Sequence, residues 1–333
     1  MRSPWRPRTP GEAALLGASI ALVTECGHLF AALAFSGVPT AADLLGRSNY
    51  RISMVVSVLI GFGSAALAYG VAAERRDAAR RAEELGWSAE RTAAVLAASA
   101  PSPRAALGAA LLVAPLGTLL ITGTDTNQPF LVSDDPWTFA IAWATGANLV
   151  LFGLIGALAY FTWAWTRQER ALDAIPAPID LLDTAPDRRL AGAGLRRSFF
   201  WIVGGSSASL VFVDLEFSWM TGIVVAVALA LGTALFVAPL VRLAARIARA
   251  KQAELARVRA RIRDARDALL GASAPAAAAE LPALLAYERR IENVRPWAIE
   301  VSQMLRFAVL VVLAIGSWLG GAIMDHVVDR FLK

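Results

Sequence analysis

The chain has 333 residues, of which 57% are hydrophobic and 18% charged, at a mean hydropathy of +0.54. A soluble domain carries roughly a quarter charged residues spread over a polar coat. Here the apolar residues are gathered into long runs with the charges between them, which excludes an ordinary soluble fold. The single cysteine, Cys26, excludes an intrachain disulfide framework and a Cys-rich metal site.

Seven apolar runs are long enough to approach or cross about 30 Å of hydrocarbon. They cover 13–38, 52–73, 105–123, 138–166, 198–213, 219–241 and 307–324. The first run follows the basic stretch MRSPWRPRTP, an arrangement that also suits a secretory signal. The run is long, holds Glu25 and His28, and lacks a small-x-small cleavage site, so it reads as a retained span.

Glu25 and His28 are the main site candidates. A carboxylate in the middle of a span costs about 2.5–3.5 kcal/mol on insertion scales, and such residues often mark ion or proton paths. Their spacing of three places them on one helix face, with Cys26 on another. No Lys or Arg lies inside a span to neutralise Glu25. It is therefore expected to be protonated, bonded to His28 or to another helix, or in contact with water. A plain interhelical hydrogen bond, worth about 0.6 kcal/mol, is the competing reading.

Between the second and third runs, residues 74–99 read as two shorter helices broken at Gly86. Pro115 is expected to kink the third span and free the carbonyl of Leu111. Asn148 in the fourth span reads as a helix–helix hydrogen bond or a pathway residue. Trp137, Trp143, Trp163, Trp165, Trp201 and Trp219 fall in the outer parts of their runs, as an interfacial belt would. The stretch AIPAPIDLLDTAP reads as an irregular loop.

The fifth run contains GGSSAS. Gly204, Gly205, Ser206 and Ser207 permit either close helix packing or a broken helix lining a substrate path. Gly205, Ser207 and Ala208 are similar to the nucleophile motif of rhomboid proteases. The later-span histidine followed by a packing glycine is missing, so the similarity implies no protease.

After the sixth run, Val241, Ala244, Ala248, Lys251, Leu255, Val258, Ile262, Ala265 and Leu269 alternate three and four apart, broken only by Lys251. This predicts one helix continuing from the membrane into solution. Leu284, Tyr287, Ile291 and Val294 repeat the spacing on a return helix. Arg257, Arg259, Arg261, Arg263 and Arg266 would repel one another across a parallel seam between copies. Glu280, Glu288 and Glu292 on the return segment favour an intrachain antiparallel hairpin. In the last run, Gly316 and Gly320 give a small-xxx-small face suited to packing within the chain or to a homo-oligomer.

The bases fix an orientation. With the N-terminus inside, the N-terminal tail holds three Lys and Arg, 74–104 six, 167–197 six and 242–306 thirteen, against four on the opposite side. The positive-inside rule then places the N-terminus in the cytoplasm and the C-terminus outside. The basic balance is a topology signal, and no nucleic-acid partner is implied. Thirty arginines to two lysines, with abundant alanine, suit a GC-rich bacterial genome and hence the bacterial cytoplasmic (inner) membrane.

The expected fold is all-α: a polytopic membrane protein with seven transmembrane helices and a cytoplasmic helical hairpin between the last two. Residues 1–241 form a six-span membrane domain, 242–304 the hairpin, and 307–324 the seventh span. There is no GxxxxGK[ST] loop, no HExxH and no Cys/His metal set, and no cofactor is implied. The expected function is a channel or transporter, proton-linked through Glu25 and His28. The alternative is a non-catalytic scaffold or signalling subunit that binds a cytoplasmic partner at 242–295.

Overall fold

The computed structural model describes residues 9–35, 48–84, 88, 90, 94, 97, 100–124, 139–173, 181, 185–208, 219–271, 275–294 and 301–331. Among these residues the regular structure is wholly helical: α1 (Pro10–Phe35), α2 (Ser48–Glu84), α3 (Pro103–Thr124), α4 (Phe139–Asp173), α5 (Ala185–Ala208), α6 (Trp219–Gly271), α7 (Pro275–Glu292) and α8 (Val301–Phe331). The starts of α1 and α3 follow local sequence. Thr9 caps α1 through its Oγ1, which accepts the Glu12 N–H at 3.2 Å, with Pro10 in the first helical position. Ser102 caps α3 in the same way, and its own N–H donates to the Tyr160 hydroxyl at 3.0 Å.

Within α1, α2, α4 and α6, the stretches Pro10–Ala31, Ser53–Arg80, Thr145–Ala171 and Gly222–Leu270 are long and apolar enough to cross a membrane. Shorter apolar stretches, Pro103–Leu119 and Val301–Gly316, lie in α3 and α8. The chain is thus an all-α protein with membrane-compatible helices. Of the run 198–213, residues up to Ala208 lie on α5 and the rest fall outside the described residues, as do Gly86 and most of the expected loop before α5.

Two boundaries differ from those expected. Residues 74–84 do not begin a separate helix but continue α2, a single helix of 37 residues. The segment ERRDAARRAEE is built of strong helix formers with no glycine or proline, so nothing stops the helix at the end of the apolar run. The loop reading of AIPAPIDLLDTAP also runs too far, because α5 begins at Ala185.

The chain divides into two compact units. The first comprises Met1–Ile175, Arg197–Thr233 and Ala308–Lys333. Its helices approach closely at small residues, as expected where lipid removes most of the hydrophobic drive between helices. A Cβ on Gly17 would stand 2.9 Å from the Gly61 carbonyl, and one on Gly61 would strike the Gly17 carbonyl, so α1 and α2 touch backbone to backbone. Gly156 of α4 meets Ala109 and Val113 of α3, while Gly205 of α5 meets Ala228 of α6.

The order of these contacts gives the helix directions. Residues pair in opposite sense between α1 and α2 (17 with 61 and 65, 21 with 61) and between α3 and α4 (109 and 113 with 156, 117 with 152). The same holds between α5 and α6 (198 and 202 with 232, 205 with 228). Gly63 meets Leu154 and Gly70 meets Trp165, so α2 and α4 run the same way. Trp165 is consequently a core residue, 4% exposed, rather than part of an interfacial belt. Trp163, on another face of α4, is exposed and carries Arg167 over its ring.

The second unit comprises Pro176–Arg196 and Ala234–Phe307. Its core joins Leu243 and Ile247 of α6 with Ile291 of α7 and Leu181, packed around by Leu255, Tyr287 and Val294. The buried face of α6 starts one residue away from the expected stripe: Leu243 and Ile247 are buried, while Val241 is 48% exposed. Both registers offer apolar side chains, Leu243 and Ile247 against Ala244 and Ala248, and the larger ones take the core. Lys251, the apparent break in the stripe, donates from Nζ to the carbonyls of Glu292 and Val294 at 2.5 and 3.0 Å. It thereby satisfies orphan carbonyls at the end of α7. Arg259 donates to Glu288 and Glu292, both at 2.7 Å, and the Glu288 hydrogen bond raises its pKa.

Candidate functional site

Two polar clusters sit within the first unit. The first is built on α1. The inward stripe of that helix is Ala13, Gly17, Ala21, Glu25, His28 and Ala31, at helical spacing. Ala13, Gly17, His28 and Ala31 are buried, while Leu22, Val23 and Phe30 on the opposite side are 65–71% exposed. The small residues bring α2 close enough for the Ser57 hydroxyl to donate to Glu25 Oε2 at 2.9 Å. Glu25 Oε1 is buried and accepts no hydrogen bond among the described residues. His28 lies one turn further along, 9% exposed. Cys26 faces outward, and among the described residues no three His, Cys, Asp or Glu side chains are grouped to hold a metal ion.

The remaining sequence candidates lie on the neighbouring helices. Helix α5 runs unbroken through Gly204, Gly205, Ser206 and Ser207. The Ser206 hydroxyl donates to the Val203 carbonyl of its own helix at 3.1 Å. A Cβ on Gly204 would meet Phe62 at 3.4 Å, and Ala208 packs on the cluster containing Val56 and Leu59. The small-residue segment and the Glu25–Ser57 pair therefore meet on α2. Asn148 is half-buried on α4. Gly316 on α8 is open, with nothing close to the position its Cβ would take, and Gly320's side-chain surroundings lie outside the described set.

The second cluster is one that sequence reasoning missed. Arg197 of α5 donates from Nε and Nη2 to the two carboxylate oxygens of Glu74 on α2, at 3.0 and 2.5 Å. Its Nη2 also lies 2.9 Å from Glu169 Oε1 on α4. The side chains are 3%, 10% and 11% exposed in that order, so one guanidinium and two carboxyl groups share a nearly dry site. Burial disfavours the Arg197 cation, and the two carboxylates more than offset this, raising its pKa above the ordinary range. The fork geometry matches a carboxylate in a way lysine would not.

This triad clamps α2, α4 and α5 at one end. A readable signal existed: Glu74 and Glu169 follow the ends of the second and fourth runs, and Arg197 precedes the fifth. All three runs have those ends on the side assigned to the cytoplasm, so opposite charges were available at one level.

No protein-family model, no curated protein and no solved structure matches this chain.

Proposed function

We propose that the chain is an integral membrane channel or transporter, proton-linked, with Glu25 and His28 as its protonatable element. The observation that carries this reading is the Glu25 carboxylate. It lies on the inward stripe of an apolar helix, with one oxygen held by Ser57 and the other buried without a hydrogen bond among the described residues. An acidic group kept in that setting is costly for packing alone. The site's position beside the Gly204–Ala208 segment of α5 supports a path between α1, α2 and α5.

The reading includes seven spans, with the N-terminus in the cytoplasm of a bacterium and the C-terminus outside. Supporting it, α1 to α6 pack in directions compatible with alternate up-and-down crossing. The 242–304 segment is read as a cytoplasmic antiparallel hairpin. At 53 residues α6 is about 80 Å long, far beyond the membrane's hydrocarbon, and α7 bonds back along it through Lys251 and Arg259.

The test is ion and proton flux in proteoliposomes, comparing the unmodified chain with Glu25→Gln. Flux in the first and none in a well-inserted variant is the expected result; an equally active variant removes Glu25 from the mechanism. A scaffold role is the second reading, favoured by the exposed arginines Arg257, Arg261 and Arg263 on α6. Photocrosslinking from Arg261 should then capture a cytoplasmic protein, and capture of this chain alone counts against it.

A further inference from the structure

The first unit holds a cleft of about 360 Å³ between α2 and α4. From α2, Ser64, Ala68 and Ala72, four residues apart, line it beside Leu67 and Val71, with Arg75 at the end; Leu154 and Phe161 of α4 form the facing wall. The small α2 residues leave a trough where larger ones would fill it. From Ser64 to Arg75 the trough runs about 16 Å along the helix, half of the roughly 30 Å hydrocarbon core. It thus has the length of one leaflet, mostly apolar and basic at one end.

Three other arginines of the first unit at the same end of these helices are already engaged. Arg76 lies over the Tyr69 ring, Arg167 over Trp163, and Arg197 is held by Glu74 and Glu169. Arg75 is exposed, lines the cleft, and makes no ion pair with a carboxylate among the described residues. Its immediate neighbour Glu74 is turned to Arg197. A trough of leaflet length ending in an unspent guanidinium complements one class of molecule.

We propose that this cleft is a binding site for an anionic phospholipid of the surrounding membrane, with an acyl chain along Ser64–Ala72 and the headgroup phosphate on Arg75. The site rests on the chain's being a membrane protein and is independent of transport. With Arg75 at the end assigned to the cytoplasm, the lipid belongs to the inner leaflet.

The test is lipid binding to the delipidated full chain in detergent, measured by native mass spectrometry with phosphatidylglycerol and phosphatidylcholine of identical chains. Phosphatidylglycerol should bind more tightly. Arg75→Gln should weaken it about fivefold, the factor one basic residue supplies near an anionic surface, leaving phosphatidylcholine unchanged. Arg75→Lys, which keeps the charge, should retain the preference and so separate charge from loss of fold. Ala68→Phe should fill the trough and remove binding of both lipids. Equal binding of the two lipids by the unmodified chain, or an Arg75→Gln variant that keeps the preference, overturns the headgroup assignment. Binding that survives Ala68→Phe overturns the cleft.

Discussion

Replacing Arg197 with methionine isolates the physics of the buried triad. The substitution keeps a long apolar stem, so packing changes little, but it removes the guanidinium that both Glu74 and Glu169 contact. The three side chains are at most 11% exposed, so solvent screening does little to soften the loss. A charge pair about 4 Å apart gains roughly 4 kcal/mol at an effective dielectric of 20, and each buried ion forfeits several kcal/mol of hydration. The intact triad therefore adds little net stability, whereas breaking it takes a charged partner from two buried carboxylates. The expected loss is about 3–5 kcal/mol, read from denaturant unfolding of the purified chain in micelles. The triple variant Arg197→Met, Glu74→Met, Glu169→Met should recover much of that loss, because it leaves no charge of the triad buried. A single variant that loses less than about 1 kcal/mol, or a triple variant as damaged as the single, refutes the reasoning.

Two further substitution sets test the packing. Gly61→Ala sets a methyl against the Gly17 carbonyl and should cost about 1–3 kcal/mol. Gly108→Ala and Gly146→Ala meet nothing within 4 Å and should be neutral or mildly stabilising in the same unfolding assay. Ile291 of α7, fully buried against Leu243 and Ile247 of α6, should lose about 2–5 kcal/mol of local stability on change to alanine. Lys251→Met should lose about 1 kcal/mol by uncapping the end of α7. Hydrogen exchange confined to α7 is the readout for both, and unchanged protection in the Ile291 variant would show that α7 does not depend on this core.

Much of the helical order was legible because membrane helices are written in composition: long apolar runs, charged interruptions and capping residues such as Thr9 and Ser102. What was not legible depended on partners. Sequence offers two apolar registers on α6 near residue 244, and packing against Leu181 and Ile291 takes the larger pair, Leu243 and Ile247, for the core. Trp165 has the position of an interfacial residue and becomes core because Gly70 of α2 leaves room for its ring. The end of α2 was drawn too early because hydropathy marks where apolar residues stop, and a helix of Ala, Arg and Glu has no reason to stop there.

The two polar clusters differ in legibility for one physical reason. Glu25 stands out because its neighbours along the chain are apolar, so a carboxylate there contradicts its local surroundings. Glu74, Glu169 and Arg197 contradict nothing locally, since charges belong at the ends of spans. They become unusual only when α2, α4 and α5 converge and remove water from all three. An acidic residue in mid-span is thus legible from one segment, while a buried charged residue at a span's end is a property of the bundle. Arg75 and Arg197 make the contrast concrete: both flank apolar runs, yet one is sealed between carboxylates and the other is left facing the cleft. The difference is set by which helix face each occupies relative to its neighbours, and hydropathy alone cannot encode it.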